Sequence, residues 1–288
     1  MTSWPSDYSQ AWTLASAVEL SGVGLHSGQR NRVRLQASDR DGYHVAWLDR
    51  PDLPPQRLHP NQVCDTRLCT ALRLGDRRLA TVEHLLAALA GCGVSQAEIL
   101  VQGEEIPLLD GSALPWVEAI ASVGLQPMGP RQLVQLPADG LIERNGTSFA
   151  AALPADALRL GVAIEFPQAA IGRQLFSLEL TPARFVAEIA PARTFGFREQ
   201  IEELLAAGLI RGGALDNALV CDGDSWLNPP LRFEQEPVRH KLLDLLGDLA
   251  LVGLPQAQVF AYRGSHLLHT ALARSMASLA AVSSACLP

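Results

Sequence analysis

One run constrains this chain more than any other: Val238-Arg239-His240-Lys241-Leu242-Leu243-Asp244-Leu245-Leu246-Gly247-Asp248-Leu249. Its leucines recur at helical spacing, which predicts a helix over 238–251, and a helix so rich in leucine has to be largely buried. His240, Asp244 and Asp248 nevertheless fall one turn apart, as a polar stripe along one face. Buried carboxylates need a cation or a proton. Two side chains four residues apart reach a single ion, although the same spacing suits an ordinary surface ion pair. A catalytic zinc takes three nitrogen or oxygen ligands and leaves its fourth place to water, so a third ligand is required from elsewhere.

His84 is the candidate for that ligand. It follows Glu83 in the amphipathic run Thr81 to Ala90, where Leu85, Leu86 and Leu89 recur at helical spacing. Glu83 beside it is placed to serve as general base, or else the pair is a lone histidine and a solvated acid at a helix start. Val82-Glu83-His84-Leu85-Leu86 can be laid over Val238-Arg239-His240-Lys241-Leu242, each with a histidine at a helix start. An ancient duplication and a chance match both remain open. His266, in Tyr262-Arg263-Gly264-Ser265-His266, follows a strand-like run and is expected on a loop. His26, in Gly22-Val23-Gly24-Leu25-His26-Ser27-Gly28, is expected in a tight turn next to the site.

A chain of 288 residues supports one large domain or two ordinary ones, and two are expected. Strand-like runs at Trp12–Val18, 31–36 and 43–48 are separated by turn signals at Ser21-Gly22, Ser38-Asp39 and Asp41-Gly42. Helices are expected over 81–90, stopped by Gly91 and Gly93, and over 115–123, stopped by Gly124. Pro127, Gly129 and Pro130 read as a linker between a first domain, 1–126, and a second, 131–288. The second half starts again with strands near 132–136, 141–143, 148–152 and 158–164, then helices over 198–207 and 238–251. Strands followed by helices in each half give an α+β sandwich as the fold class.

Hydrophobic residues make up 48% and charged ones 18%, a balance that excludes wholesale disorder. A formal net charge of -7 and the lack of a basic run with interleaved aromatics argue against nucleic acid as a partner. No apolar run approaches the roughly 20 residues of a membrane span, and Met1 to Asp7 do not resemble a secretory signal, so a cytoplasmic protein is expected. Nothing in the sequence points to an obligate protein partner. Cys64, Cys69, Cys92, Cys221 and Cys286 form no Cys-x-x-Cys pair and read as reduced, mostly buried thiols.

Six motifs then occur in order along nearly the whole chain: Gly22 to Gly28, Asp65-Thr66-Arg67-Leu68-Cys69-Thr70, Thr81-Val82-Glu83-His84-Leu85, Ile106-Pro107-Leu108-Leu109-Asp110-Gly111-Ser112-Ala113, Ala192-Arg193-Thr194-Phe195-Gly196-Phe197, and Val238 to Asp244. Together they resemble the UDP-3-O-acyl-N-acetylglucosamine deacetylases, enzymes of the committed step of lipid A synthesis. The resemblance implies Zn2+ on His84, His240 and Asp244, with Glu83 as base for the attacking water, the same four residues that spacing proposes. It further implies a Thr194 hydroxyl for the oxyanion, His266 as acid to the leaving amine, Asp248 behind that histidine, and Lys241 near His266 and the substrate. Two domains are implied, each a sheet with two helices, with the site between them. About 198–220 would be an insert forming a tunnel for the acyl chain, where Ile201, Ile210, Gly213, Ala214, Ala218 and Val220 serve equally well as ordinary core. Phe195 would pack near the sugar, Leu25 and Cys69 close to the substrate, and Arg263 would face the diphosphate of a UDP-linked acylated N-acetylglucosamine.

The chain departs from the family pattern in five places, one of them Arg263, which stands where a lysine is common. Ser265 replaces a glycine and His269 an asparagine around the acid, while Gln235 replaces an acidic residue and Pro237 an aromatic before the metal helix. Proline in a first helical turn is tolerated. The rival readings are a zinc hydrolase of another acylated amino sugar, for which the tunnel is expendable, and a lipid or sugar-nucleotide binder with structural histidines.

Overall fold

The computed structural model describes residues 4–131 and 133–285, with side chains as far as Leu279. Strand β1 (Gln10–Leu14) leads into β2 (Val18–Val23), β3 (Arg30–Gln36), β4 (Gly42–Trp47) and β5 (Gln56–Arg57). In β3 residues alternate strictly between solvent and core, so Val33 and Leu35 are buried while the arginines between them stay out. A small sheet of β6 (Val63–Asp65), β7 (Ala71–Leu74) and β8 (Arg77–Leu79) precedes helix α1 (Glu83–Gly91), strand β9 (Gln96–Gln102), α2 (Leu114–Val123) and β10 (Leu125–Pro130).

The second half contributes β11 (Leu141–Asn145), β12 (Ser148–Pro154), β13 (Arg159–Glu165) and β14 (Arg173–Glu179). Next come the short helix α3 (Pro182–Arg184), strand β15 (Phe195–Phe197), helix α4 (Ile201–Ala206), and strands β16 (Leu219–Asp222) and β17 (Ser225–Trp226). Helix α5 (Glu236–Leu249), strand β18 (Ala257–Tyr262) and helix α6 (His266–Ala285) complete it. The class is α+β, in two units.

The two large sheets have one topology. The first runs β2-β3-β9-β4-β5 and the second β11-β12-β18-β13-β14. Only β4 with β9, and β13 with β18, pair in parallel; the other neighbours are antiparallel. The last strand of each large sheet, β9 or β18, therefore enters its middle and comes between two helices in the chain, where the sequence suggested a block of strands followed by a block of helices. α1 and α5 are the matching helices of this repeat, so the Val82–Leu86 and Val238–Leu242 echo falls on equivalent elements.

Four local expectations are corrected. The supposed linker is strand β10, antiparallel to β1, with a register irregularity between Ala11 and Trp12. A two-stranded ribbon tolerates Pro127, Gly129 and Pro130 because a proline on an edge or bulge need not donate to the ladder. Trp12–Val18 breaks into the end of β1 and the start of β2, and Ser21-Gly22 lies within β2 opposite Asn31 and Arg32. The strand near 132–136 reduces to a single bridge between Val134 and Pro255, and Gln132 is outside the described residues. His266 opens α6 and is not on a loop. Cys64 is exposed and Cys69, Cys92 and Cys221 are buried, all as free thiols, while Cys286 lies outside the described residues.

One continuous core, from Tyr8 to Met276, joins both sheets and their helices. α2 rests on β2 and α1, α5 and α6 rest on the second sheet, and α1 packs along α5. Every residue of α1 is buried, Glu83 and His84 included. The two helices meet at Gly247, where a Cβ would stand 2.0 Å from the carbonyl oxygen of Glu83 and 2.7 Å from its carbon. Backbone cannot rotate aside as a side chain can, so Gly247→Ala has to push the helices apart. It is expected to cost about 1–3 kcal/mol as an overpacked contact, seen as a lower Tm; a variant with native Tm would contradict this packing.

Candidate active site

The crossing of α1 and α5 brings two imidazoles and a carboxylate together from distant parts of the chain. The candidate ligand atoms of His84, His240 and Asp244 lie within 4.8 Å of one another, and all three residues are buried. Asp244 Oδ1 is 3.4 Å from His240 Nε2 and 3.7 Å from His84 Nε2. Ligand atoms about 2 Å from one tetrahedral zinc stand roughly 3.3 Å apart, so these spacings match a single ion. Burial lowers the pKa of both imidazoles, that of His84 to about 3, so both are neutral. In His240 the ring proton is committed: Nδ1–H donates to the Ala192 carbonyl at 3.0 Å, leaving Nε2 bare. A bare nitrogen and an anionic oxygen then face each other at 3.4 Å without a donor between them, an arrangement that requires a cation. The donor set fits zinc.

The other oxygen of Asp244, Oδ2, accepts from Lys241 Nζ at 2.8 Å. Burial alone would raise this carboxyl, but Lys241 and the charged His266 hold it well below its ordinary range. Lys241 also stands 5.6 Å above the Phe195 ring, so it belongs first to the carboxylate and only secondarily to the space in front of it.

Glu83 is 2% exposed and accepts from the Thr70 backbone N–H at 3.0 Å. Burial pushes its pKa up to about 7 against the opposing charge of His266. His266 Nε2 lies 4.0 Å from Glu83 Oε1, across the space where a reacting group would sit. Its Nδ1–H donates to Asp248 Oδ2 at 2.9 Å. Burial disfavours the charged imidazole, yet Asp248 and its hydrogen bond outweigh this and raise the pKa to about 9. Asp248 is fully buried and is held below its ordinary range by His266 and His269 in spite of burial. Its second oxygen accepts from the Thr70 hydroxyl, a contact between residues 178 positions apart. Thr70 thus ties Glu83 and Asp248 together, a link the sequence did not single out.

Thr194 is positioned by a backbone clamp. Glu236, with no exposure, accepts from the Arg193 side chain and N–H at 2.9 Å and from the Arg232 N–H at 2.6 Å. Glu236 carries this buried load itself, so Gln235 one residue earlier need not be acidic; Pro237 sits harmlessly in the first turn of α5. Thr194 N–H donates to the Gly111 carbonyl at 2.7 Å.

Beside this cluster is an apolar cavity of about 340 Å³. Leu25, Thr194, Phe195, Ile201, Ile210, Gly213, Ala214, Ala218 and Val220 line it, as do Leu68, Leu204, Leu205 and Leu215, which the sequence reading passed over. Phe195 connects it to the metal residues, with its ring 6.5 Å from that of His240. The wall is closed where the insert meets the turn at 24–28: Gly212 N–H donates to the Leu25 carbonyl at 2.9 Å, and a Cβ on Gly212 would strike the Gly24 carbonyl at 2.3 Å. Leu68 and Ile210, both lining the cavity, hold positive φ angles of 67° and 47°, costly conformations of the kind that cluster at functional sites.

Cys69 and Arg263 lie outside the apolar cavity. Cys69 is buried with its thiol pushed up to about 12 by burial, and lines a separate polar cavity with His26, Arg67 and Arg78. Arg263 is exposed, with φ 49°, and lines neither cavity. The turn containing His26 is held by Glu105, whose carboxylate accepts from the N–H groups of His26 and Ser27 at 2.8 Å.

Comparison with known proteins shows the family to which the chain belongs. A family sequence model described as LpxC: UDP-3-O-acyl N-acetylglycosamine deacetylase matches residues 11–278. A UDP-3-O-acyl-N-acetylglucosamine deacetylase of Thermosynechococcus vestitus is 50% identical over 268 residues, 92% of this chain and 93% of its own. One of Trichormus variabilis is 48% identical, covering 93% of this chain and 98% of its own. A probable mitochondrial UDP-3-O-acyl-N-acetylglucosamine deacetylase of Arabidopsis thaliana is 40% identical over 92% of this chain and 87% of its own. No helix among the described residues is long and apolar enough to cross a membrane. The chain belongs to the UDP-3-O-acyl-N-acetylglucosamine deacetylase family.

Proposed function

We propose that this chain removes the acetyl group from UDP-3-O-acyl-N-acetylglucosamine, releasing acetate and the free amine, as the committed step of lipid A synthesis, with zinc on His84, His240 and Asp244. The observation that carries this reading is the bare Nε2 of His240 facing Asp244 beside His84, with Glu83 and His266 on either side of the adjoining space. When bound there, zinc supplies Lewis acidity and makes water more acidic. Glu83 takes the proton of the attacking water, the Thr194 hydroxyl donates to the oxygen that gains charge, and His266 delivers a proton to the departing nitrogen. Asp248 keeps His266 charged and turned so that Nε2 faces the substrate. The test is to offer a UDP-linked acylated N-acetylglucosamine with and without a chelator and follow acetate. Release that stops with the chelator and returns with zinc is expected; no release from the zinc-loaded protein would refute the assignment.

The apolar cavity would hold the acyl chain. Ala214→Trp or Ala218→Leu adds bulk to its wall and is expected to lower kcat/KM for the long-acyl substrate by about 10-fold or more, with zinc content unchanged. Undiminished turnover would favour an acylated amino sugar that has no use for the cavity.

A further inference from the structure

Asp248 serves two histidines. His266 and His269, one turn apart at the start of α6, both place Nδ1 on the same carboxylate oxygen, Oδ2, at 2.9 and 3.1 Å. An ionised carboxylate only accepts, so each of these nitrogens carries its proton. His269 is 1% exposed, and its far nitrogen, Nε2, is buried with no hydrogen-bond partner. That edge of the ring occupies space left free by Gly264, where a Cβ would stand 2.4 Å from Nε2. The start of α6 is thus shaped around an imidazole with one polar contact, and that contact is the acid's own partner. Ser265 completes the setting: its carbonyl accepts the His269 N–H at 2.9 Å, and its hydroxyl accepts the Leu268 N–H at 3.4 Å, as a helix cap does.

We propose that His269 is a positioning residue for the acid. By donating to Oδ2 it fixes the rotation of the Asp248 carboxylate, with the Thr70 hydroxyl holding Oδ1, so that His266 keeps Nδ1–H engaged and Nε2 toward the reacting groups. Without His269 only Thr70 would hold the carboxylate independently of His266, and the carboxylate and His266 could twist together. This rests on the reading that His266 is the acid, and the experiment separates the two.

In the zinc-loaded protein, His269→Leu is expected to lower kcat by about 10-fold or more with KM within about twofold, because the substrate is bound but the proton donor is misaligned. His269→Asn, which retains an N–H donor, is expected to restore most of kcat. With histidine labelled in nitrogen-15, the Nδ1–H resonance of His266, assigned by its disappearance in His266→Ala, is expected to shift in His269→Leu and return in His269→Asn. Gly264→Ala presses on the far side of the ring without removing the donor and is expected to produce the same loss of kcat; it gives the answer even if the leucine variant does not fold. Native kcat and an unmoved resonance in His269→Leu, or in Gly264→Ala, would overturn the proposal, as would an asparagine variant no better than leucine. Should His266→Ala itself keep native turnover, the acid assignment fails on its own account.

Discussion

Glu83→Ala and His266→Ala are each expected to lower kcat by on the order of 10²- to 10⁴-fold, the usual worth of a general base or acid, with zinc content unchanged. The pH dependence follows from the same pair. Turnover needs Glu83 without its proton and His266 with its own, so the rate rises as the first group ionises and falls as the second loses its charge. Burial holds Glu83 at about 7, and Asp248, outweighing burial, holds His266 at about 9. A cation on His84 draws the neighbouring carboxylate downward, so the acid limb is expected at or below about 7 and the alkaline limb near 9. Each substitution should erase its own limb, Glu83→Ala the acid one and His266→Ala the alkaline one. A bell that survives both variants would mean that other groups move the protons.

Asp244→Ala is expected to weaken zinc binding on the order of 100-fold or more, because one of three protein ligands is gone, and to remove activity at ordinary zinc concentrations. Lys241→Met gives the contrast. It leaves the Oδ1 that faces the histidines and removes only the ammonium on Oδ2, so the loss in affinity should be about 10- to 100-fold, as for outer partners of metal ligands. Competition against a chelator measures both. Native zinc affinity in Asp244→Ala would remove the centre from this place in the fold.

The strongest part of the site was legible because helix periodicity is local. His240, Asp244 and Asp248 project from one face of α5 whatever surrounds it, and the leucines on the other faces require that face to be buried too. Glu83 and His84 stood out for the same reason, at the head of an apolar helix. Local signals failed where meaning depends on a neighbour. Pro127 and Pro130 read as a linker because proline interrupts ladders, but β1 accepts them on a strand at a ribbon's edge. His266 follows a strand that ends at Tyr262, a local signal for a loop, yet Ser265 caps a helix that starts at His266 itself.

Arg263 and Cys69, which the resemblance places near the substrate, lie outside the apolar cavity, a position no local pattern gives. Thr70 and Arg193 stand inside the family motifs and Glu236 outside them, but no pattern gave any of the three a role, because a hydrogen bond across 178 or 43 positions has no period. The repeated sheet topology was equally silent beyond five residues of echo, since strand order depends on pairing and not on side-chain identity.

The sequence by itself determined which side chains share a helix face, which helices must be buried, and which family motifs run along the chain. Only the tertiary structure decided that the two histidines meet, that Gly247 lets α5 approach the backbone of Glu83, and that Asp248 answers to Thr70, His266 and His269 together. The physical reason is range: periodicity and capping act over one or two turns, whereas a metal centre and a buried carboxylate are completed by groups that only packing brings within 4 Å.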